Sequence, residues 1–436
     1  MKNAFLMLTL AIAIGLPAST PSNVPQAHDM LLLASGETLR SDETRIQTPE
    51  VSSGDRASLT RGNGAFAFDL YRQLTTVEGN IFYSPYSVSA ALAMTYAGAR
   101  GTTAEQMAEA MHFDLPQNRL HPAFNWLDGE LAGRGEGAAG KDDEGFRLNV
   151  VNVLWGQKDY EFKAAFLDTL AEDYGAGLRI LEFAREPEPS RVAINDWVSE
   201  QTEDRIQDLI QPGGITSLTR LVLTDAIYFN AAWENQFLKE ATAYLFFFLP
   251  GGGSVAVPMM KQTDTFGYAQ GDDYQAVELP YDGGELSMVV LLPSEGKFAG
   301  FEDGLDYRSL DRIIDRLDDR LVRLTMPKFE FDSRFSLNQA LSALGMAGAF
   351  SGSADFSGMT GNEGLFIGDV VHKAFVSVDE AGTEAAAATA VIMVASGPGP
   401  KPELVVVTID RPFIFLIRDI ETGTILFVGR VLNPGA

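Results

Sequence analysis

A chain of 436 residues with 33 basic and 59 acidic side chains carries a formal net charge of −26, which argues against nucleic-acid binding because no basic face is left to neutralise phosphates. At 46% hydrophobic and 21% charged, with 28 Phe, it has the composition of a globular protein with a large core, and the absence of Cys excludes disulfides and a lipoprotein anchor. In chain order, the first element is MKNAFLMLTLAIAIGLPAST, one Lys followed by an apolar run from Ala4 to Leu16 and the small residues Ala18, Ser19 and Thr20. That pattern predicts a signal peptide over residues 1–20, too short to span a membrane. Residues 21–61 are rich in Ser, Thr, Pro and Asp without a helical or strand period, and read as a flexible leader.

From Gly64 the pattern is dense. Apolar residues at three and four spacing predict helices over Ala65–Leu74, Val88–Ala99, Thr103–Met111 and Ala193–Ile210, the third capped by Thr102 or Thr103. Strands are predicted at Leu221–Phe229, Tyr274–Tyr281, Leu286–Pro293, Leu321–Phe331, Glu403–Ile409, Phe413–Asp419 and Ile425–Val431. Gly251 to Gly253 reads as a hairpin turn, since no helix opens after it to make a phosphate loop. Helices early and strands late indicate an α+β domain built on one or two large sheets.

Catalytic machinery is not legible. Of four His, His28 lies in the leader, His112 and His121 follow a helix, and only His372 has an apolar context, in DVVHKAFVSV. There is no GxSxG elbow, no Cys nucleophile, no HExxH and no metal-ligand cluster, so neither enzyme activity nor a cofactor or metal is expected. The acidic pairs Asp142 with Asp143 and Asp318 with Asp319 read as solvated faces.

One stretch fits no ordinary element: AGTEAAAATAVIMVASGPGPKPE, from Ala381 to Glu403. Its alanines favour helix, its Val and Ile favour strand, and its Gly and Pro residues end in an open segment. Read as a strand, Thr383, Ala385, Ala387, Thr389, Val391 and Met393 share one face. Side chains this small can enter between existing strands at little steric cost.

Seven blocks then carry a resemblance over roughly Gly64 to Pro434. They are NIFYSPYSVSAALAMTYAGARGTTAEQM (Asn80–Met107), INDWVSEQTEDRIQDLI (Ile194–Ile210), LVLTDAIYFNAAWENQF (Leu221–Phe237) and VELPYDGGELSMVVLLP (Val277–Pro293), followed by MPKFEFDSRFSLNQALSALGMAGAFSGSADFSGM (Met326–Met359), VVHKAFVSVDEAGTEAAAATA (Val370–Ala390) and DRPFIFLIRDIETGTILFVGRVLNP (Asp410–Pro434). In this order they resemble the serpins, serine protease inhibitors of the suicide type. The resemblance implies one α+β domain over residues 62–436, with a large central sheet, additional sheets, about eight or nine helices and an exposed reactive loop. It also implies the activity: a protease cleaves the loop, which inserts into the central sheet and traps the acyl-enzyme.

Residue by residue, the resemblance makes Glu380, Gly382 and Thr383 the hinge, continued by Ala385, Ala386, Ala387 and Ala388. It places the reactive bond at Ala395–Ser396 or Ser396–Gly397. It assigns control of sheet opening to Asn80, Ser84, Ser87, Asp225 and His372 at mid-sheet, and to Trp233, Lys328 and Glu380 at its top. Two departures stand out, Asp225 where the family usually has Asn and Asp204 where it commonly has Gly. A buried Asp225 must be either ionised beside a charged His372 or protonated. The small residues at the bond imply elastase-like or subtilisin-like targets, because the stretch has no Lys or Arg before Lys401. The expected protein is a secreted monomer, periplasmic in a Gram-negative host, able to form loop–sheet polymers and without a nucleic-acid or membrane partner. A carrier or folding helper without inhibitory activity, and an inhibitor of papain-like cysteine proteases, are the alternatives.

Overall fold

Two sheets, of seven and nine strands, organise the chain in a computed structural model that describes residues 37–140, 145–361, 364–383 and 403–436. The first part runs β1 (Glu37–Leu39), α1 (Ser53–Leu74), β2 (Ile81–Tyr83), α2 (Pro85–Tyr96), α3 (Gly101–Ala110), α4 (Gln117–Ala132), β3 (Arg147–Gln157), α5 (Ala164–Tyr174), β4 (Leu178–Leu181) and α6 (Pro187–Gln201). Next come β5 (Leu221–Ala232), β6 (Ala243–Phe248), β7 (Ser254–Gln270), β8 (Tyr274–Pro280), β9 (Leu286–Pro293), α7 (Phe298–Asp303), α8 (Tyr307–Ile314), β10 (Asp318–Pro327) and β11 (Phe329–Ser336). The last part holds α9 (Asn338–Leu341), α10 (Ser357–Thr360), β12 (Asp369–Val378), β13 (Gly382–Thr383), β14 (Leu404–Thr408), β15 (Phe413–Asp419) and β16 (Ile425–Val431). The seven-stranded sheet has the order β1-β4-β3-β5-β13-β12-β11, and the nine-stranded sheet β14-β10-β7-β8-β9-β15-β16-β2 with β6 paired to β7.

Burial explains which strands are central. All twelve residues of β5, LVLTDAIYFNAA, are buried, as both faces of an inner strand must be. Helix α2 is buried all round because it packs on β3 and β5 of one sheet and β16 of the other. Its start is fixed locally: Ser84 caps it by accepting the Ser87 N–H, and Pro85 supplies the preset φ of a first turn.

Several expectations are corrected. The leader is not flexible as far as Arg61. Residues 37–39 form β1 on the edge of the seven-stranded sheet, and α1 already begins at Ser53, capped by the Ser52 hydroxyl. Between them Arg45 reaches Asn125 and Asp128 of α4, and Ile46 donates its N–H to the Glu172 carbonyl of α5. Thr103 does not cap α3; its hydroxyl accepts the Asp355 N–H, and no side chain caps the helix. The helix predicted to Ile210 stops at Gln201, because Glu203, Asp204 and Asp208 all take positive φ. The single strand predicted over Leu321–Phe331 is two, split at Lys328, where the chain passes from one sheet to the other and donates its N–H to the Pro258 carbonyl. Gly251 to Gly253 do turn the β6–β7 hairpin, with positive φ at Gly252 and Gly253.

Candidate functional site

The central sheet is split at one end. Strands β5 and β12 pair directly and in parallel only where Val222–Ile227 faces Asp369–Ala374. Beyond that they part, and the chain turns through Asp379, Glu380 and Ala381 to send β13 back between them. Gly382 lies opposite Ala232, and Thr383 lies opposite Ala231 on one side and Val378 on the other. The turn is closed by the Asp379 N–H on the Gly382 carbonyl (3.0 Å) and the Ala381 N–H on the Asp379 carboxylate (2.9 Å). Glycine is required at 382 because a Cβ there would collide with the Ala231 carbonyl oxygen. Thr383 is buried, and its hydroxyl shares a hydrogen bond with the Tyr281 hydroxyl at 2.9 Å.

A buried clamp surrounds this wedge. Trp233 stacks on Tyr281 with centroids 4.7 Å apart, donates its indole N–H to the Asp379 carbonyl and its backbone N–H to the Ala381 carbonyl. Glu380 accepts from Lys328 at 2.6 Å and from the Thr242 hydroxyl at 2.6 Å. Burial alone would raise the Glu380 carboxyl, but Lys328, Thr242 and a backbone N–H outweigh it and hold it below its usual value. Tyr281 and Thr242 had no signal in the sequence, since each is recruited by a residue about a hundred or more positions away.

Further down, where β5 and β12 still pair, His372 and Asp225 are adjacent in register and fully buried. The His372 Nδ1 lies 2.5 Å from Asp225 Oδ1, and its Nε2 accepts the Ser84 backbone N–H at 3.1 Å. A nitrogen that accepts a backbone N–H carries no proton of its own, so the ring is neutral and donates Nδ1–H to the carboxylate. Of the two expected states, this removes the one with a charged His372. Asp225 Oδ2 has no partner among the described residues. Ser87 gives its hydroxyl to Asn152 Oδ1 and its N–H to the Ser84 hydroxyl. Asn152 was missed in the sequence; it stands opposite Asp225 on β3.

Asn80 does not belong to this cluster. Its side chain accepts the N–H groups of Leu432 and Asn433 and donates to the Asn433 carbonyl, so it ties down the C-terminal segment. His372 is not the only buried His either. His121 is buried with Nδ1 on the Tyr174 hydroxyl, and burial, with the Arg100 charge adding to it, lowers its pKa to about 4. Ala385, Ala386, Ala387, Ala388, Ala395, Ser396 and Gly397, with the Asp142–Asp143 pair, lie outside the described residues.

The structure thus holds a strand end, Gly382–Thr383, wedged between two parallel strands and reached through Glu380. The family model Serpin (serine protease inhibitor) matches residues 61–434. The chain belongs to the serpin family. It is 41% identical over 386 residues to an uncharacterized serpin-like protein of Thermococcus kodakarensis, with 88% of each chain covered. It is 38% identical to the human leukocyte elastase inhibitor over 388 residues, 86% of this serpin and 99% of that protein. Among solved structures, the native state of the thermophilic serpin tengpin superposes with a TM-score of 0.79 at 27% identity, covering 91% of this chain and 97% of that one. Members of this family are directed at serine proteases, as the family description says. No helix among the described residues is long and apolar enough to cross a membrane.

Proposed function

We propose that this serpin is an inhibitor of serine proteases that acts as a suicide substrate. The observation that carries the reading is Thr383, already seated between β5 and β12 and buried against Tyr281. Extending β13 exchanges the parallel β5–β12 pairing for antiparallel ladders on both sides of a new strand. Alternation from Thr383 turns Ala385, Ala387 and Thr389 toward the core, and none is large enough to stop at the sheet. A dozen new strand residues at about 0.5–1.5 kcal/mol per net hydrogen bond, with apolar burial added, would release on the order of 10 kcal/mol. Cleavage frees the loop, insertion carries the acylated protease with it, and the ester is held away from hydrolysis. The chain is thus consumed as substrate and performs no catalysis of its own.

The target class follows from the bond at Ala395–Ser396 or Ser396–Gly397, whose small residues suit elastase-like or subtilisin-like pockets, with Val391 to Val394 in neighbouring apolar subsites. The likeness to leukocyte elastase inhibitors supports the same class. The Lys2 and Ala4–Leu16 pattern supports export, to the periplasm in a Gram-negative host. Incubation with an elastase-like protease should give a complex stable to SDS and heat and release a C-terminal fragment beginning at Ser396 or Gly397. A fragment beginning at Pro402, with fast inhibition of trypsin, overturns the assignment; cleavage without complex favours a carrier.

A further inference from the structure

Glu384 is the only ionisable side chain between Glu380 and Lys401, so a strand that lengthens from β13 carries one carboxylate into the sheet with it. Register says where it goes. Thr383 lies opposite Ala231 of β5 and Val378 of β12. Continuing the same two ladders brings Glu384 opposite Asn230 on one side and Ser377 on the other, on the sheet face that bears Tyr228 and away from the core face of Phe229. Tyr228 and Asn230 are both buried. A carboxylate brought in beside them is costly unless a cation meets it.

Arg147 of β3 stands at that level. It is the direct antiparallel partner of Asn230, so it shares the same face, with β5 between it and the incoming residue. Its guanidinium already reaches over β5: it lies 5.8 Å from the centroid of the Tyr228 ring and donates from Nη2 to the Tyr228 hydroxyl at 3.4 Å. The same register puts Ala386 opposite Tyr228, and a methyl group leaves the guanidinium its place. On its outer side Arg147 Nε is 3.3 Å from Glu203, whose side chain is 45% exposed, an ion pair that is cheap to give up. Lys373, on the same face of β12, falls opposite residue 388 and is engaged by the Gln207 carbonyl and Asp332. We infer that Arg147 is the receptor for Glu384, a positioning residue that exchanges Glu203 for the loop carboxylate as β13 lengthens. The pairing sets the register, because a slip of one residue turns Glu384 to the core face. It rests on the inhibitory reading above, since it needs the loop to insert.

Cleavage of the loop by an elastase-like protease, followed by guanidinium unfolding of the cleaved chain, tests the pairing without requiring a covalent complex. Glu384→Gln and Arg147→Gln should each lower the unfolding midpoint of the cleaved chain, and Glu384→Gln should cost nothing more once Arg147 is Gln. In an Arg147→Lys chain, which keeps the charge, Glu384→Gln should again cost part of its wild-type loss. An Arg147 that serves only Glu203 and Tyr228 would leave the Glu384→Gln loss undiminished. Losses that add, or a Glu384→Gln chain with the wild-type midpoint, overturn the proposal and leave the inhibitory reading standing. A wild-type chain whose midpoint does not rise on cleavage has not inserted its loop, and that result overturns both.

Discussion

At the level of single residues, the two departures from the family pattern have different explanations. Asp204 is left-handed, φ 60°, and accepts the Ser199 hydroxyl at 2.8 Å. Glycine suits that conformation without strain, and Asp is among the few side chains that tolerate it through a local hydrogen bond. The exchange is visible in the sequence, but its reason is not, because the helical period runs on through a position where the backbone reverses hand. Asp225 is a matter of charge. Its Oδ1 is well used by His372, while Oδ2 is buried without a partner among the described residues, a costly place for a carboxylate. Asp225→Asn keeps an oxygen to accept Nδ1–H and removes the buried charge. It should raise the melting temperature by a few degrees and slow spontaneous conversion to latent or polymeric forms, both measurable by thermal unfolding and native gels. A lower melting temperature with faster conversion would count against an ionised Asp225 in the closed sheet.

Elements were legible where the period was strong and unreadable where partners are distant. Strands β8, β9, β15 and β16 lie within a residue or so of their predicted bounds because each is a short apolar run between turns. Helix α6 ends early for a reason the pattern cannot carry: Asn195 bonds both the N–H and the carbonyl of Ile210, folding the following segment back onto the helix. Strand β13 was legible only as composition, small residues after a glycine. Its seat between β5 and β12 depends on Trp233, Tyr281, Thr242 and Lys328, which come from four places in the chain. Because Thr383 fills that seat, Thr383→Arg is the sharpest test of the wedge. Thr383 is buried against Tyr281, and forcing a guanidinium into that seat costs several kcal/mol. The variant should be cleaved at the wild-type rate yet yield mostly cleaved inhibitor and little covalent complex. An unchanged ratio on a gel would refute a hinge that enters at this residue.

For the molecule as a whole, the largest revision concerns residues 37–52, which lie along the body and pin the edge of the central sheet to α4 and α5. Low hydrophobicity made them read as leader; they are held by polar contacts, Arg45 with Asn125 and Asp128 and Ser41 with Asp168, which composition does not reveal. Beneath them lie two buried groups with opposite proton demands. His121 is lowered to about 4, chiefly by burial, and Asp173 is raised to about 6, chiefly by burial with Glu172 adding to it and Arg45 opposing. His121 contributes stability that is complete above its unfolded value near 6.5 and is lost as pH falls through 4. Asp173 contributes stability that is complete below its unfolded value near 3.8 and is lost as pH rises through 6. The windows overlap, so between about pH 4 and 6 the two effects, each on the order of 3 kcal/mol, oppose one another and flatten the wild-type profile. Removing either unmasks the other. Relative to wild type, Asp173→Asn should lose melting temperature more steeply as pH falls from 6.5 to 4, and His121→Gln should gain it over the same range. Parallel profiles for all three proteins would show that neither group changes its proton affinity on folding.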